Sequence, residues 1–468
     1  MLFYSLDFAV FLTVFLAVYW LLPHRAQNVF LLVGSYFFYG YVHPWFLILL
    51  FASTVGDYSF ALGMRRFEEK KKLLLIGSLC VNLGLLSFFK YFGFFVDNVL
   101  GLASALHLHV TRPTLTVILP VGISFYTFQS LSYTIDVYRG RLEPRKSFLD
   151  VATFLALFPQ LVAGPIERAT HVLPQVERER RFDPEQARLG LLLMIWGLCK
   201  KLVIADNVAV IANKIFSLTA PGFSLVWVGT LAFCVQIYAD FSAYSDIARG
   251  TARLLGFELM KNFDQPYLSQ TPAEFWRRWH ISLSSWFRDY VYIPLGGNRG
   301  SKARTFFNLF LTFLLSGFWH GASWNFLMWG AYHGLLLIVF RLLEDWLPGA
   351  FRVRWLSPLR VVVMFALVNI GWLMFRETDV QQLLLDFTLR PSGDSAAQRI
   401  AAGHFLGLIA CYSLPLVLDS TLYSSRVYLR ARASQFWALL EGALAAVLIA
   451  VLVSFYSDVP SDFIYFQF

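Results

Sequence analysis

His280 and His320 stand within one aromatic and arginine-rich stretch of the sequence, residues 275–333. His320 follows the strongly apolar run 306–319, and His280 lies in the segment FWRRWHISLSSWFRDY. An ionisable side chain is costly to bury at bilayer depth, which makes His320 a candidate functional residue. Histidine titrates near neutral pH, so it commonly serves as the general base for a hydroxyl that attacks an acyl carbonyl. The alternative is a helix-terminal histidine whose ring binds a backbone carbonyl.

A second segment, YADFSAYSDIAR at residues 238–249, adds two carboxylates at the end of another apolar run. Asp240 and Asp246 lie nearly opposite each other on a helix, so local geometry does not make them a catalytic pair. One could orient a histidine ring and the other could pair with an arginine, or the segment could be a polar helix end at the membrane interface. Lys200 and Lys201 interrupt a further apolar run. They could line an aqueous cavity, but we expect them to extend toward the interface.

Several classes of catalytic site have no matching pattern in the sequence. It contains no HExxH or CxxC pattern for a metal and no GxSxG turn for a serine nucleophile. The segment IPLGGNRG, residues 293–300, lacks the lysine and hydroxyl of a phosphate-binding loop. The four cysteines all lie in apolar runs, where we expect small buried hydrophobic residues. We therefore expect no metal site. The remaining polar side chains are compatible with acyl transfer but do not establish it.

Composition indicates the setting of these residues. Of 468 residues, 57% are hydrophobic and 15% are charged, whereas a soluble domain carries about 25% charged residues. The apolar runs predict an all-α polytopic membrane protein with about 10–12 transmembrane helices, plus re-entrant and interfacial helices. The first run is taken as a retained span, because no signal-peptide cleavage pattern precedes it. The predicted spans are residues 6–22, 28–42, 45–63, 73–97, 115–135, 189–213, 223–247, 303–319, 322–341, 359–376, 403–419 and 434–457.

Basic residues predict the orientation of these spans. The net charge of +9 is concentrated in short loops, among them residues 64–72, 136–146 and 424–432. All three loops fall on one side of the predicted spans, and basic loops tend to stay in the cytoplasm. Both termini and the loop 377–398 are then expected on the outer side.

Two segments lack the sequence pattern of simple lipid-facing helices. Residues 151–165 end in Gly164-Pro165, which breaks an apolar run. Non-helical backbone at membrane depth is tolerated only beside protein or water, so we expect a re-entrant segment there. Residues 275–290 place aromatic side chains near helical spacing. This pattern predicts one amphipathic helix that lies at the membrane interface or lines a site.

The order of several short motifs resembles the membrane-bound O-acyltransferase (MBOAT) family. Within it, the chain resembles the branch with the membrane subunit of bacterial alginate O-acetyltransferase, to which the D-alanyl transfer protein of teichoic acids is related. Together the motifs are highly specific, although the last of them alone would be weak. They cover about residues 120–335 and comprise PVGISFY (120–126), IDVYRG (135–140), FPQLVAGP (158–165), YADFSAYSD (238–246), NFDQPYLS (262–269), FWRRWHISLSSWFRDY (275–290), LGGNRG (295–300) and WHG (319–321).

The resemblance implies a set of site residues within an all-α MBOAT fold. His320 would be the catalytic histidine, either as a base or as a transient carrier of the acyl group. His280 would hold a second, supporting polar position. The other residues expected to support the site are Trp319, Arg278, Ser282, Asp240 and Asp246.

The same resemblance implies substrates and partners. The donor would be a cytoplasmic acyl thioester, acetyl-CoA or an acyl carrier protein, with no bound cofactor. The acceptor would be an exported, alginate-like polysaccharide, served through a periplasmic or cell-surface acetyltransferase or esterase-like partner; nucleic acid is not expected. The location would be the bacterial inner membrane. Alternatives are O-acylation of peptidoglycan or teichoic acid, or an acyl-donor transporter without chemistry, although no related half-repeats support a transporter.

The resemblance also bears on domain organisation and on the end of the sequence. We expect one membrane-embedded acyltransferase domain, residues 1–468, with N-terminal spans at 1–114, a family core at 115–341 and C-terminal spans and tail at 342–468. The last six residues, FIYFQF, fit a pattern, Phe-x-Tyr-x-x-Phe, of a small companion protein in the D-alanylation system, where the tyrosine is proposed to take the acyl group. Tyr465 would then be an acyl relay. The alternative is an aromatic anchor at the membrane interface.

Overall fold

The computed structural model describes residues 1–111, 117–349, 353–424, 435–455 and 463–464. In these ranges every regular element is helical. The first nine helices are α1 (Leu6–Tyr19), α2 (His24–Gly40), α3 (Phe46–Arg66), α4 (Lys71–Leu86), α5 (Phe92–Ala105), α6 (Ile123–Tyr138), α7 (Phe148–Ala156), α8 (Phe158–Leu161) and α9 (Ala169–Glu177).

The later helices include the longest ones. They are α10 (Pro184–Cys199), α11 (Asp206–Phe216), α12 (Phe223–Leu254), α13 (Pro272–Arg278), α14 (Ile281–Phe287), α15 (Lys302–His320), α16 (Trp324–Trp346), α17 (Ser357–Arg376), α18 (Val380–Thr388), α19 (Ala396–Ser424) and α20 (Gln435–Phe455). Wider π-helical turns join α4 to α5 at Ser87–Tyr91 and α10 to α11 at Lys200–Ala205.

Long apolar helices confirm the predicted all-α, multi-pass membrane protein. Among the described residues, six helical segments are long and apolar enough to cross a bilayer: Phe46–Arg66, Glu68–Ala105, Phe223–Leu254, Trp324–Trp346, Arg354–Arg376 and Ala396–Thr421. Every predicted span coincides with at least one observed helix. The span 115–135 was placed too early, because α6 begins only after Gly122. That glycine has a φ of +77°, and a Cβ on it would lie 2.7 Å from the backbone oxygen of Leu161.

The described chain forms two compact units. Unit 1 comprises Met1–Leu191 and Ala248–Lys261, and unit 2 comprises Leu192–Ile247 and Asn262–Phe468. Both predicted histidines lie in unit 2. The expectation of a single acyltransferase domain stays a prediction.

The predicted re-entrant segment, residues 151–165, lies within the segment from α7 to α9, and its re-entry into the membrane stays a prediction. Asn28 of α2 donates hydrogen bonds to Asp150 at 3.3 Å and to the backbone oxygen of Val176 at 3.1 Å. The start and the end of the segment therefore lie at the same end of unit 1. Gly164 makes the return possible, because a Cβ there would lie 2.5 Å from the Cα of Gln160.

Two of the three predicted cytoplasmic loops lie side by side in unit 1. The ammonium of Lys71 is 5.7 Å from the ring centroid of Tyr138, which joins the loop after α3 to the loop after α6. The hydroxyl of Tyr58 donates to the backbone oxygen of Lys146 at 2.6 Å. These contacts agree with the prediction that both loops face one side. Residues 425–432 of the third basic loop lie outside the described residues.

A buried carboxylate joins three helices of unit 1. Asp57 of α3 accepts hydrogen bonds from Ser78 at 2.7 Å and from Asn82 at 2.8 and 3.0 Å, both on α4. Ser130 of α6 also donates to it. Polar contacts between spans hold helices together where lipid gives no hydrophobic drive for association. This network therefore fixes α3, α4 and α6 against one another.

Candidate active site

His320 is the last residue of α15, and its ring is buried in an aromatic cluster of unit 2. The centroid of the imidazole lies 5.0 Å from that of Trp319, 5.0 Å from Trp329 of α16 and 5.4 Å from Phe375 of α17, all in edge-to-face geometry. Only 5% of the residue is exposed. The cluster therefore fixes the orientation of the imidazole and excludes bulk water from it.

Glycines bring α15 and α16 close enough to build this cluster. A Cβ on Gly317 would lie 2.2 Å from the backbone oxygen of Phe326, and one on Gly330 would lie 2.5 Å from a backbone oxygen of α15. Gly321 directly follows His320, and a Cβ there would lie 2.1 Å from the ring of Phe326. Small residues allow such close approach between membrane helices. The end of α15, and with it His320, is positioned by this contact.

His280 occupies a sharp break between α13 and α14. Its backbone has a φ of +43° and a ψ of +56°, the left-handed region that residues other than glycine rarely adopt. The predicted continuous helix over residues 275–290 is therefore wrong. Both helices have aromatic residues at helical spacing, so the sequence pattern does not reveal that the helix is interrupted. The aromatic side chains Phe275, Trp276, Trp279 and Trp286 are buried within the protein, which favours the site-lining alternative.

Hydrogen bonds fix the ring of His280. Its Nδ1 lies 3.1 Å from Oδ1 of Asn262. The same oxygen accepts from the backbone amide of Ser282 at 3.3 Å and from its hydroxyl at 2.9 Å. A backbone N–H can only donate, so the amide oxygen of Asn262 must face this side. Nδ1 of His280 therefore carries the proton, and Nε2 is the nitrogen able to accept one.

Trp319 lies close to both histidines. Its ring centroid is 6.3 Å from that of His280 and 5.0 Å from that of His320. The structure thus brings together four of the predicted site residues, including Ser282, from α14, α15 and the break before α14.

Two residues of this region were not predicted. Asn262 begins one of the motif segments, but its position gave no reason to single it out. His333 of α16 is buried, with its ring 4.9 Å from Trp329 and 5.0 Å from Trp276. The available signal was a second ionisable ring in an apolar helix, the same signal that identified His320.

Asp240 and Asp246 of α12 pair with lysines. Nζ of Lys200 lies 2.5 Å from Asp246, and Nζ of Lys201 lies 3.1 Å from Asp240. Both lysines are buried. The expectation that they extend to the interface is wrong, because α12 offers them carboxylates within the protein. Sequence reasoning considered a histidine or an arginine as the partner and missed the lysines.

Arg278 has a local partner. Its guanidinium lies 2.7 Å from Glu274, one helical turn earlier on α13. Its side chain is also 32% exposed, whereas the rings around His320 are buried. This arrangement gives Arg278 a part in stabilising α13, and its predicted supporting role at the site stays a prediction.

The cysteines are free thiols in two environments. Cys199 and Cys234 are buried, as predicted, but Cys80 and Cys411 are exposed on the apolar helices α4 and α19. The prediction of four buried cysteines is thus wrong for two of them, because an apolar run does not reveal which of its faces meets lipid. Within the described ranges, no three His, Cys, Asp or Glu side chains form a group that could hold a metal ion.

The described part of the C-terminal segment packs against α12. The backbone amide of Ile464 donates to Oδ2 of Asp240 at 2.8 Å. The ring of Phe463 lies 4.6 Å from that of Tyr244. Both residues are buried. Tyr465, the predicted acyl relay, lies outside the described residues.

Known proteins similar to this chain identify its family. Residues 144–375 match the membrane-bound O-acyltransferase family, MBOAT. The chain is 44% identical over 377 residues to the probable alginate O-acetylase AlgI of Pseudomonas aeruginosa, a match that covers 80% of this chain and 71% of that protein. The chain belongs to the MBOAT family. As a member of it, the protein is a membrane-embedded O-acyltransferase, and the matched residues contain Asn262, His280 and His320.

Two further relatives show the breadth of this MBOAT group. The peptidoglycan O-acetyltransferase of Helicobacter pylori is 36% identical over 408 residues, which covers 80% of this chain and 76% of that protein. The teichoic acid D-alanyltransferase of Bacillus subtilis is 28% identical over 276 residues, which covers 54% of this chain and 68% of that protein. The names of these three relatives give alginate, peptidoglycan and teichoic acid as the molecules to which they transfer an acyl group.

Proposed function

We propose that this MBOAT protein O-acetylates an exported, alginate-like polysaccharide, with His320 as the catalytic base. The observation that carries the proposal is the buried imidazole of His320 at the end of α15, held edge-on by Trp319 and Trp329. A rigid, water-excluded imidazole suits proton transfer during acyl transfer.

The names of the relatives favour acetyl as the group transferred. The alginate O-acetylase at 44% identity and the peptidoglycan O-acetyltransferase at 36% both carry acetyl in their names. The D-alanyltransferase matches at 28% and over a smaller share of this chain. Alginate is favoured as the polymer because the more similar of the two acetyltransferases acts on it by name.

In the proposed reaction His320 acts as the general base. The imidazole removes the proton of the acceptor hydroxyl as its oxygen attacks the thioester carbonyl. A C–O bond forms, the C–S bond breaks, and the proton passes to the departing thiolate. A single well-placed general base contributes about 10²–10⁴ in rate.

His280 supports this step. Its Nδ1–H is bound to Asn262, so Nε2 is left as a hydrogen-bond acceptor of fixed direction. Such an acceptor can orient a hydroxyl without taking its proton. Trp319, which lies against both histidines, holds the two rings in their relative positions.

Donor, partner and location complete the proposal. The donor is a cytoplasmic acyl thioester, acetyl-CoA or an acyl carrier protein. A periplasmic or surface acetyltransferase or esterase-like partner then receives or delivers the acetyl group. The six long apolar helices and the bacterial sources of the relatives support the inner membrane of a bacterium as its location.

Two other activities remain as outcomes of the test. The same machinery could acylate peptidoglycan or teichoic acid, as the names of two relatives indicate for those proteins. A transporter of acyl donors without chemistry is the alternative of a different class. It would not need His320 for transfer to a polymer.

The deciding experiment replaces the histidine in cells that lack the native gene. His320→Ala, expressed at the wild-type level, should reduce polymer-bound acetate at least about 100-fold. His280→Ala should cost less. His404→Ala is the matched control, because His404 is exposed on α19, and it should leave acetate unchanged. Near-normal acetate with His320→Ala would refute the assignment, and acetate lost from peptidoglycan alone would select that polymer.

A further inference from the structure

A carboxylate in the middle of α12 binds the described end of the chain. Oδ2 of Asp240 accepts the backbone amide of Ile464 at 2.8 Å, and its Oδ1 lies 3.1 Å from Nζ of Lys201. All three residues are at most 2% exposed. A buried carboxylate is costly unless it is paired and hydrogen-bonded. Here the ammonium supplies the charge, and the chain segment supplies a backbone donor.

The lysine is placed for this task by the π-helical turn Lys200–Ala205. In that turn both consecutive lysines reach carboxylates, Lys200 that of Asp246 and Lys201 that of Asp240. Lys201 also lies 2.9 Å from Asp206. π-helical turns occur often at functional sites. Lys201 thus holds the carboxylate of Asp240 in place.

The docked residues 463–464 lie next to Phe241, which contacts His280. The ring of Phe463 lies 4.6 Å from Tyr244 and 6.0 Å from Phe241. Phe241 in turn contacts the imidazole of His280 edge-on at 4.6 Å. Phe241 therefore contacts both the imidazole of His280 and the C-terminal segment.

We propose that Asp240 is a positioning residue that docks residues 463–464 beside His280, and that Lys201 holds its carboxylate for this contact. The inference rests on the proposed function and deepens it, because it assigns the C-terminal segment to the site where the acetyl group is transferred. Asp240 acts through the docked segment and not on the reacting atoms.

The docking is measured first, without any activity assay. Ile464→Cys is placed in a background in which the native cysteines are replaced, and its reaction rate with a small maleimide is followed. Asp240→Leu removes the acceptor and should raise the labelling rate at least about tenfold, as expected for loss of a hydrogen bond to a charged group. Asp246→Leu is the matched control: it breaks the neighbouring ion pair on α12 but not the contact with Ile464, so the rate should stay unchanged.

Comparison of Asp240→Leu with Asp246→Leu also defines the result that would overturn the docking. An unchanged rate with Asp240→Leu, or an equal rise with both variants, shows that Asp240 does not hold the segment. Asp240→Asn keeps an acceptor oxygen and a similar shape. It should give an intermediate rate, and a rate equal to that of Asp240→Leu would also count against a hydrogen bond.

The link between this docking and the reaction is tested at the hydrogen-bond donor, the backbone amide of Ile464. Ile464→Pro removes the amide hydrogen that Asp240 accepts but leaves Asp240 and Lys201 intact, and it should lower polymer acetate at least about tenfold. Ile464→Val keeps the amide and should retain acetate. Wild-type acetate with Ile464→Pro would overturn the positioning role. Retained acetate with His320→Ala would instead refute the proposed function, while the labelling result would still stand.

Discussion

Nδ1 of His280 lies 3.1 Å from the side-chain oxygen of Asn262, and this contact decides which nitrogen of the ring carries the proton. The oxygen cannot turn away, because it also accepts two hydrogen bonds from Ser282. The amide nitrogen of Asn262 donates in turn to Ser245 of α12 at 3.2 Å. The direction of the supporting imidazole therefore depends on a residue that we do not expect to contact the substrate.

Replacing this amide should impair the reaction without removing either histidine. Asn262→Leu has a similar size but no acceptor, and we expect acetyl transfer to fall about 10–100-fold, as for an unsatisfied buried donor of about 1–3 kcal/mol. Asn262→Asp keeps an acceptor for Nδ1–H and should retain more activity. The rate of acetate transfer is compared at equal protein levels. Equal rates for wild type and Asn262→Leu would show that the amide does not orient His280.

The close glycine contact between α15 and α16 predicts that replacing a helical glycine by alanine lowers stability, the opposite of the usual effect. Alanine normally stabilises a helix relative to glycine by about 1 kcal/mol. A methyl group on Gly317 would overlap the backbone oxygen of Phe326, so Gly317→Ala should destabilise the protein by about 1–3 kcal/mol and lower acetyl transfer. Gly403→Ala on α19 is the control, because a Cβ there meets nothing within 4 Å.

The measurement is the apparent melting temperature in detergent. It should fall for Gly317→Ala and stay constant or rise for Gly403→Ala. A melting temperature for Gly317→Ala at or above that of the wild type would contradict the close packing that we assign to this helix pair.

The network around Asp57 predicts a purely structural effect. Asp57→Leu leaves several buried donors on α4 and α6 without their acceptor, and we expect a loss of about 2–4 kcal/mol in stability. Asp57→Asn keeps one acceptor oxygen and should cost less. The control is Asp7→Asn at the exposed contact with Tyr41, which should change stability by less than about 0.5 kcal/mol. Equal melting temperatures for Asp57→Leu and Asp7→Asn would show that the network does not hold the three helices.

Orientation in the membrane can be tested by cysteine labelling from either side. We expect a cysteine at Glu69 in the loop 64–72 to react only from the cytoplasm, because this loop is basic. One at Thr378, in the loop 377–398, should react from outside. Both side chains are exposed. The exposed Cys80 and Cys411 must be replaced first, and the reverse pattern would invalidate the predicted placement of donor and acceptor.

Hydropathy predicted the helices well because each apolar run must satisfy its own backbone within the bilayer. The same physics makes His320 a candidate, since an ionisable ring after a long apolar run can be recognised in the sequence without knowledge of its partners; its catalytic role stays a prediction. Errors occurred where the decisive contact is distant in the sequence. Lys201 pairs with Asp240 only once α10–α12 have packed together. A local sequence pattern cannot predict such a long-range ion pair.

The break at His280 shows a different limit. The aromatic spacing of residues 275–290 fits one helix, but the chain turns between α13 and α14 because buried polar partners hold it there. Asn262 accepts hydrogen bonds from the backbone amide of Ser282, and its own backbone oxygen accepts from the amide of Ile281 at 2.9 Å. These hydrogen bonds stabilise the left-handed backbone conformation of His280, which is unfavourable by backbone propensity alone. The site therefore depends on tertiary hydrogen bonds where the helices depend on hydropathy.

The last prediction concerns Tyr465, one residue beyond the docked Ile464. The amide of Ile464 is bound to Asp240, and Phe463 contacts Phe241. The described residues 463–464 therefore lie next to Phe241, whose ring also contacts His280. A phenol, with a reference pKa of about 10, is far more acidic than a sugar hydroxyl and is easier for a histidine to activate.

We expect Tyr465 to receive the acetyl group before it passes to a partner or polymer, since an aryl ester remains reactive toward a further hydroxyl. Tyr465→Phe keeps the aromatic ring and removes only the hydroxyl, so it separates a relay from a membrane anchor. Polymer acetate should then fall as far as it does with His320→Ala, although the protein is folded and inserted. Mass spectrometry of wild-type protein incubated with donor but without acceptor should find acetate on the C-terminal peptide, and none with Tyr465→Phe. Wild-type polymer acetate with Tyr465→Phe would instead make Tyr465 an aromatic anchor and send the acetyl group directly from the site of His320 to its acceptor.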